Sequence, residues 1–87
     1  YGGEEFCILL PDSTTEIAKL VADRIVDAAH QIKLPDGEHI TVSVGVADSA
    51  RKDVHTAIKS ADRALYAAKD LGRDQAVMAD RGELVNA

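Results

Sequence analysis

Between residues 40 and 46 the chain alternates strictly. Ile40, Val42, Val44 and Val46 are β-branched, and Thr41, Ser43 and Gly45 lie between them. Side chains of a strand point to opposite faces with a period of two, so this run predicts a strand with one apolar face. Such a face needs cover, and the segments on either side supply it. Ile17, Leu20, Val21, Ile25, Ala28 and Ala29 recur at helical spacing, as do Val54, Ala57, Ile58, Ala61, Leu65 and Ala68. The resulting order is strand, helix, hairpin, helix, strand, a mixture of helices and strands (α+β) in one unit.

Turn and cap signals divide the rest. The chain opens on Tyr1-Gly2-Gly3-Glu4-Glu5, and paired glycines permit the positive φ of a tight hairpin turn. Phe6 to Leu10 is too short for a helix and reads as a strand buried on both faces, ended by Pro11-Asp12. A hairpin has two arms, and only the outgoing arm follows the glycines, so an N-terminal part is expected upstream. Ser13-Thr14-Thr15-Glu16 fits a capping box with Ser13 as N-cap. Pro35-Asp36-Gly37 is a turn that would pair Gln31–Leu34 with the alternating strand. Asp53 suits the N-cap of the second helix, and Gly72 its C′ position. A weaker strand is expected over Gln75–Ala79, followed by a fraying polar tail. One unit over residues 1–79 with a tail over 80–87 is the expected organisation.

Composition sets limits on function. The 87 residues are 46% apolar and 29% charged, ordinary for a globular chain and not for a disordered one. A net charge of −5, with two tyrosines and one phenylalanine, argues against a nucleic-acid surface, which carries basic stripes and stacking rings. Cys7 is the single cysteine, sits in the apolar pentad and has no disulfide partner, which suits a reducing compartment. No apolar stretch approaches the roughly 20 residues of a membrane span, and no leader pattern is present. The expected location is the cytoplasm, with any membrane anchor lying in an N-terminal region outside this chain.

Three segments in register carry a resemblance. They are Gly2-Gly3-Glu4-Glu5-Phe6, then Thr41-Val42-Ser43-Val44-Gly45-Val46-Ala47, then Ala61-Asp62-Arg63-Ala64-Leu65-Tyr66-Ala67-Ala68-Lys69 continued by Gly72-Arg73. Together they resemble the GGDEF family of bacterial diguanylate cyclases, and the likeness runs from Tyr1 to about Val77. The resemblance implies the C-terminal half of a nucleotidyl-cyclase or palm-like α/β sandwich, related to ferredoxin-like folds. In it an antiparallel sheet is flanked by helices. The family's first metal-binding aspartate, its phosphate loop, its guanine-recognising side chains and its RxxD product-inhibition motif lie upstream of residues like these. The chain alone is therefore expected to be inactive and incomplete.

The resemblance also implies a reaction, the condensation of two GTP into cyclic di-GMP, and a set of site residues for it. The intact parent would be a nucleotidyltransferase using two Mg²⁺ (or Mn²⁺) ions per active site, with a second GGDEF domain facing it in a homodimer. An N-terminal sensory or regulatory domain would precede it. By the same resemblance Glu4 matches the essential acidic position, as metal ligand and aid to deprotonation, and Glu5 a supporting metal position. Hard carboxylate oxygens suit Mg²⁺. Gly2 and Gly3 let the backbone approach the nucleotide without a Cβ clash. Lys69 and Arg73 match the family positions that contact the β- and γ-phosphates of GTP, one as a point charge and one as a fork. Arg24 matches an arginine that some members use to bind product.

Each assignment has a plain counterpart. Glu4 and Glu5 could be solvated turn residues. Lys69 and Arg73, four apart on one face of a continuing helix, could serve its C-terminal dipole, with Asp70 and Asp74 beside them. Arg24 could be a solvated helix residue. His30, His39 and His55 lack metal-ligand spacing and read as surface residues. Cys7 and Tyr66 read as packing. Asp74-Gln75 departs from the family's asparagine followed by a basic residue and weakens the local positive field. The alternative function is a degenerate GGDEF domain that binds GTP or cyclic di-GMP as a regulatory module.

Overall fold

A computed structural model describes residues 14–48, 53–80 and 83–86. The elements in chain order are α1 (Thr15–His30), β1 (Val44–Ala47), α2 (Val54–Asp70), β2 (Ala76–Asp80) and β3 (Glu83–Asn86). The sequence signals at residues 1–13, including the Gly2-Gly3-Glu4-Glu5 turn and the Phe6–Leu10 strand, lie outside the described residues.

Both helices begin on side-chain caps. The Thr14 hydroxyl accepts from the Ile17 backbone N–H at 3.2 Å, so the cap is Thr14 and not Ser13 as the capping box suggested. Asp53 caps α2 as expected, accepting from the Thr56 N–H at 2.7 Å. Hydrogen bonds from Thr56, backbone first and side chain second, hold the Asp53 carboxyl below its ordinary value. Gly72 ends α2 in a Schellman motif. Its φ is +117°, its N–H donates to Lys69 O at 3.3 Å, and the Arg73 N–H reaches back to Ala68 O at 2.9 Å.

The sheet is mixed, ordered β1-β2-β3, and this corrects the antiparallel expectation. β1 and β2 run parallel with Val44 opposite Ala76 and Ala47 opposite Ala79. The reason is topological: the connection between them contains the whole of α2, and a helical crossover returns the chain in the same direction. β2 and β3 are antiparallel, pairing Val77 with Asn86 and Asp80 with Glu83. Residues 83–86 thus form a strand where a fraying polar tail was expected. The alternating run is also shorter as a strand than its pattern, because Ile40–Ser43 lie beyond the start of β2. The hairpin with Gln31–Leu34 contracts to one bridge, Lys33 to His39, around a turn in which Gly37 has φ +89° and Asp36 accepts from the Glu38 N–H.

The helices cover opposite faces of the sheet. Ala22 and Val26 of α1 pack with Ala76, Val42, Val44 and Val46. Ala64 and Ala68 of α2 pack with Val77, Ala79 and Ala47. The period-two alternation sorts these sets, sending the valines of β1 to α1 and Gly45 and Ala47 to α2. β2 has a strand on each side and a helix on each face, so Ala76, Val77, Met78 and Ala79 are all buried. The buried stripe of α1 runs through Ala22, Val26 and Ala29 rather than Ile17 and Leu20, which are 47% and 46% exposed. Val54, expected on the buried face of α2, is also exposed.

Gly45 sets the spacing of β1 and α2. A Cβ there would stand 2.1 Å from Ala61 O and 2.4 Å from Leu65 N, so only a glycine lets this strand and helix meet.

Candidate functional site

The two cations singled out by the sequence lie at the C-terminal end of α2. Lys69 is in the last helical turn, half-buried, with its Nζ 5.9 Å from the Tyr66 ring centroid. That distance is within cation–π range, and an exposed contact of this kind contributes about 0.5–1 kcal/mol. Tyr66 is 65% exposed, which corrects its assignment to packing. It lies two residues, about 200° around the helix, from both Ala64 and Ala68, and so points away from the sheet.

Arg73 is exposed and stands past the end of the helix. The expectation that Lys69 and Arg73 share one continuing helical face is therefore corrected. The chain leaves the helix at Leu71 and turns back over its last turn. Gly72, Arg73 and Asp74 have φ of +117°, +65° and +53° in succession. Glycine adopts this freely, whereas each L-residue in the left-handed region costs about 1–2 kcal/mol, with aspartate among the more tolerant.

Contacts from several elements hold that turn. The Arg73 N–H is tied to α2 through Ala68 O. Gln75 Nε2 donates to Arg73 O at 3.0 Å and to Leu71 O at 3.3 Å. The Val44 N–H of β1 donates to Gln75 O at 3.0 Å. From α1, His30 Nε2 meets the Asp74 carboxylate at 2.5 Å. His30 is held in turn by His39, whose Nδ1 lies 3.1 Å from His30 O. Neither His30 nor Gln75 stands out in the sequence as a site residue. A histidine in the last turn of a helix is visible there, but its partner lies 44 residues away.

Arg24 is exposed on α1, about 200° from both Ala22 and Val26 and so on the side away from the sheet. The sheet separates it from α2, and the structure does not bring it together with Lys69 and Arg73. Gly2, Gly3, Glu4 and Glu5 lie outside the described residues. Among the described residues no group of three or more His, Cys, Asp or Glu side chains could hold a metal ion. Nor is any helix there long and apolar enough to cross a membrane. Glu4 and Glu5, the expected metal ligands, carry carboxylate oxygens of the hard kind that Mg²⁺ accepts.

Lys69 and Arg73 thus stand at the end of a helix that covers one face of a mixed sheet, in a small α+β domain. Comparison with known proteins narrows this. Residues 1–75 match the family described as diguanylate cyclase, GGDEF domain, and the chain belongs to that family. It is 36% identical over 86 residues to the probable diguanylate cyclase DgcT of Escherichia coli K12, covering 91% of this chain and 19% of that protein. It is 34% identical over 84 residues to diguanylate cyclase A of Treponema denticola, covering 90% and 22%. With diguanylate cyclase DgcM of Escherichia coli K12 the identity is 34% over 80 residues, covering 91% and 20%. The chain thus spans about a fifth of the length of these relatives. No solved structure matches it significantly.

Proposed function

We propose that the domain containing this chain is a diguanylate cyclase, which condenses two GTP into cyclic di-GMP and releases two pyrophosphates. The observation that carries this reading is the Gly2-Gly3-Glu4-Glu5-Phe6 signature, inside a family match that also takes in Lys69 and Arg73. Glu4 keeps its carboxylate, as a cyclase requires.

In this reading Lys69 and Arg73 bind the β- and γ-phosphates, neutralising the charge that passes to the leaving pyrophosphate. The 3′-hydroxyl of one GTP attacks the α-phosphorus of a second, held by a facing copy of the domain. A P–O bond forms and the bond to the leaving phosphate breaks. The hydroxyl proton passes towards the Glu4 carboxylate. Glu4 and Glu5 would hold Mg²⁺, which when bound supplies electrostatic stabilisation to phosphoryl oxygens and acidifies a hydroxyl. Gly2 and Gly3 keep the signature turn free of side chains beside the nucleotide. A region upstream of Tyr1 would supply the remaining ligands and the sensory input, so the chain alone is expected to be inactive.

The test uses the protein as its gene encodes it, with GTP and Mg²⁺, followed by chromatography beside a Glu4→Ala variant. Cyclic di-GMP from the natural protein, lost in the variant, is the expected result. GTP binding without product would instead identify a regulatory binding module.

A further inference from the structure

The turn after α2 is unusual in that two L-residues with positive φ follow Gly72, and one of them is the arginine assigned to phosphate binding. Left-handed backbone of this kind persists where surrounding contacts over-determine it. Some of the restraints are local in sequence, the Arg73 N–H to Ala68 O and the Gln75 side chain to Arg73 O and Leu71 O. Two come from further away: the Val44 N–H of β1 holds Gln75 O, and α1, which covers the other face of the sheet, reaches the Asp74 side chain through His30. We propose that His30 is a positioning residue for the phosphate-binding turn. By holding the Asp74 carboxylate it keeps the Asp74 backbone left-handed and presents the neighbouring Arg73 guanidinium to the β- and γ-phosphates of GTP. This inference rests on the proposed role of Arg73 as a phosphate ligand.

The chemistry has a second part. A free carboxylate one residue from a guanidinium competes with a bound phosphate for it. With Asp74 engaged by His30, that competitor is occupied. A neutral imidazole with its proton on Nε2 donates to the carboxylate, and an imidazolium adds charge to the same contact. His39 braces the arrangement by contacting the His30 carbonyl from the hairpin turn. Three separated segments, at residues 30, 39 and 74, therefore meet at this one place.

The experiment measures binding of the α-thio analogue of GTP, with Mg²⁺, and of GMP, by calorimetry on the protein as encoded. GMP lacks the β- and γ-phosphates and is blind to where Arg73 points. His30→Ala is expected to weaken the triphosphate by roughly three- to fivefold, the upper range for an exposed ion pair, and to leave GMP unchanged. His30→Gln, which keeps an N–H at a similar reach, is expected to recover most of the loss. In an Asp74→Gly background, where the carboxylate is gone and glycine accepts the backbone freely, His30→Ala is expected to have no further effect. Unchanged triphosphate affinity in His30→Ala overturns the proposal, as does an equal loss for GMP or a loss that persists with Asp74→Gly. If the natural protein fails to bind the analogue, the cyclase reading falls first and this one with it.

Discussion

Replacing Gly45 with alanine tests how closely α2 sits on β1. The added methyl would lie 2.1 Å from Ala61 O, 2.4 Å from Leu65 N and 2.9 Å from Leu65 Cα. All three are backbone atoms of one helical turn, so no rotamer change makes room. Relief to an ordinary carbon–oxygen separation requires α2 to retreat by about 1 Å, since contacts shorter than roughly 3 Å are steeply repulsive. The retreat loosens Ala64 and Ala68 from Val77 and Ala79, which form one buried cluster. Overpacking usually costs about 1–3 kcal/mol, and with rigid backbone on both sides the cost here belongs at about 3 kcal/mol. For a domain this small that lowers Tm by about 12–24 °C. Thermal unfolding followed by circular dichroism reads it directly. Gly37→Ala is the control: its φ is +89° but a methyl there would meet no atom within 4 Å, so backbone strain alone applies. That strain amounts to about 1–2 kcal/mol. A Gly45→Ala protein that melts no lower than Gly37→Ala would show that the helix and strand are not in backbone contact, and the reasoning would fail.

Other regions of the molecule give further expected outcomes. Val77→Ala removes the largest fully buried side chain among the described residues and should cost about 2–3 kcal/mol, seen as a lower urea midpoint at constant slope. The Asp53 carboxyl has a folded pKa below its unfolded value near 3.8, so its stabilisation is present above that value and is lost as pH falls through the folded one. Asp53→Asn still caps the helix but does not titrate. Its helix content should therefore fall less steeply than that of the natural chain when acid is added, as circular dichroism would report. Arg73→Ala should raise the KM for GTP by about tenfold, and Arg73→Lys by less, since lysine keeps the charge without the fork. Steady-state product formation by the encoded protein measures both.

Periodicity makes much of this fold legible, and topology hides the rest. Ile40, Val42, Val44 and Val46 show a strand with one apolar face, and Asp53 and Gly72 mark both ends of α2. The same pattern cannot show that only Val44–Ala47 has a partner in β2. Pairing depends on where another strand ends, which is non-local information. The third strand is hidden because Glu83 and Asn86 look like tail residues in the sequence. The buried stripe of α1 lies about one position from where its large apolar residues would put it. The sheet accepts the small ones, Ala22 and Ala29, and leaves Ile17 and Leu20 outward. For the site, Lys69 and Arg73 are legible as a pair of cations, but the left-handed turn between them is visible only at Gly72.

The small residues of α2 are best understood together with that turn. Ala57, Ala64 and Ala68 are buried, and Gly45 sits under the Ala61–Leu65 turn. A helix packed through large side chains can slide or tilt as they change rotamer, whereas one resting on a strand through alanine and glycine has no such slack. The contact fixes the axis of α2, and the Schellman motif transmits that placement to Arg73 through Ala68, which belongs to both the buried cluster and the cap. Phosphate binding by Lys69 and Arg73 would thus be set by the core of the domain rather than by surface contacts alone. Enlarging Ala68 should therefore weaken stability and triphosphate binding together, whereas a change at His30 should weaken binding with little loss of stability.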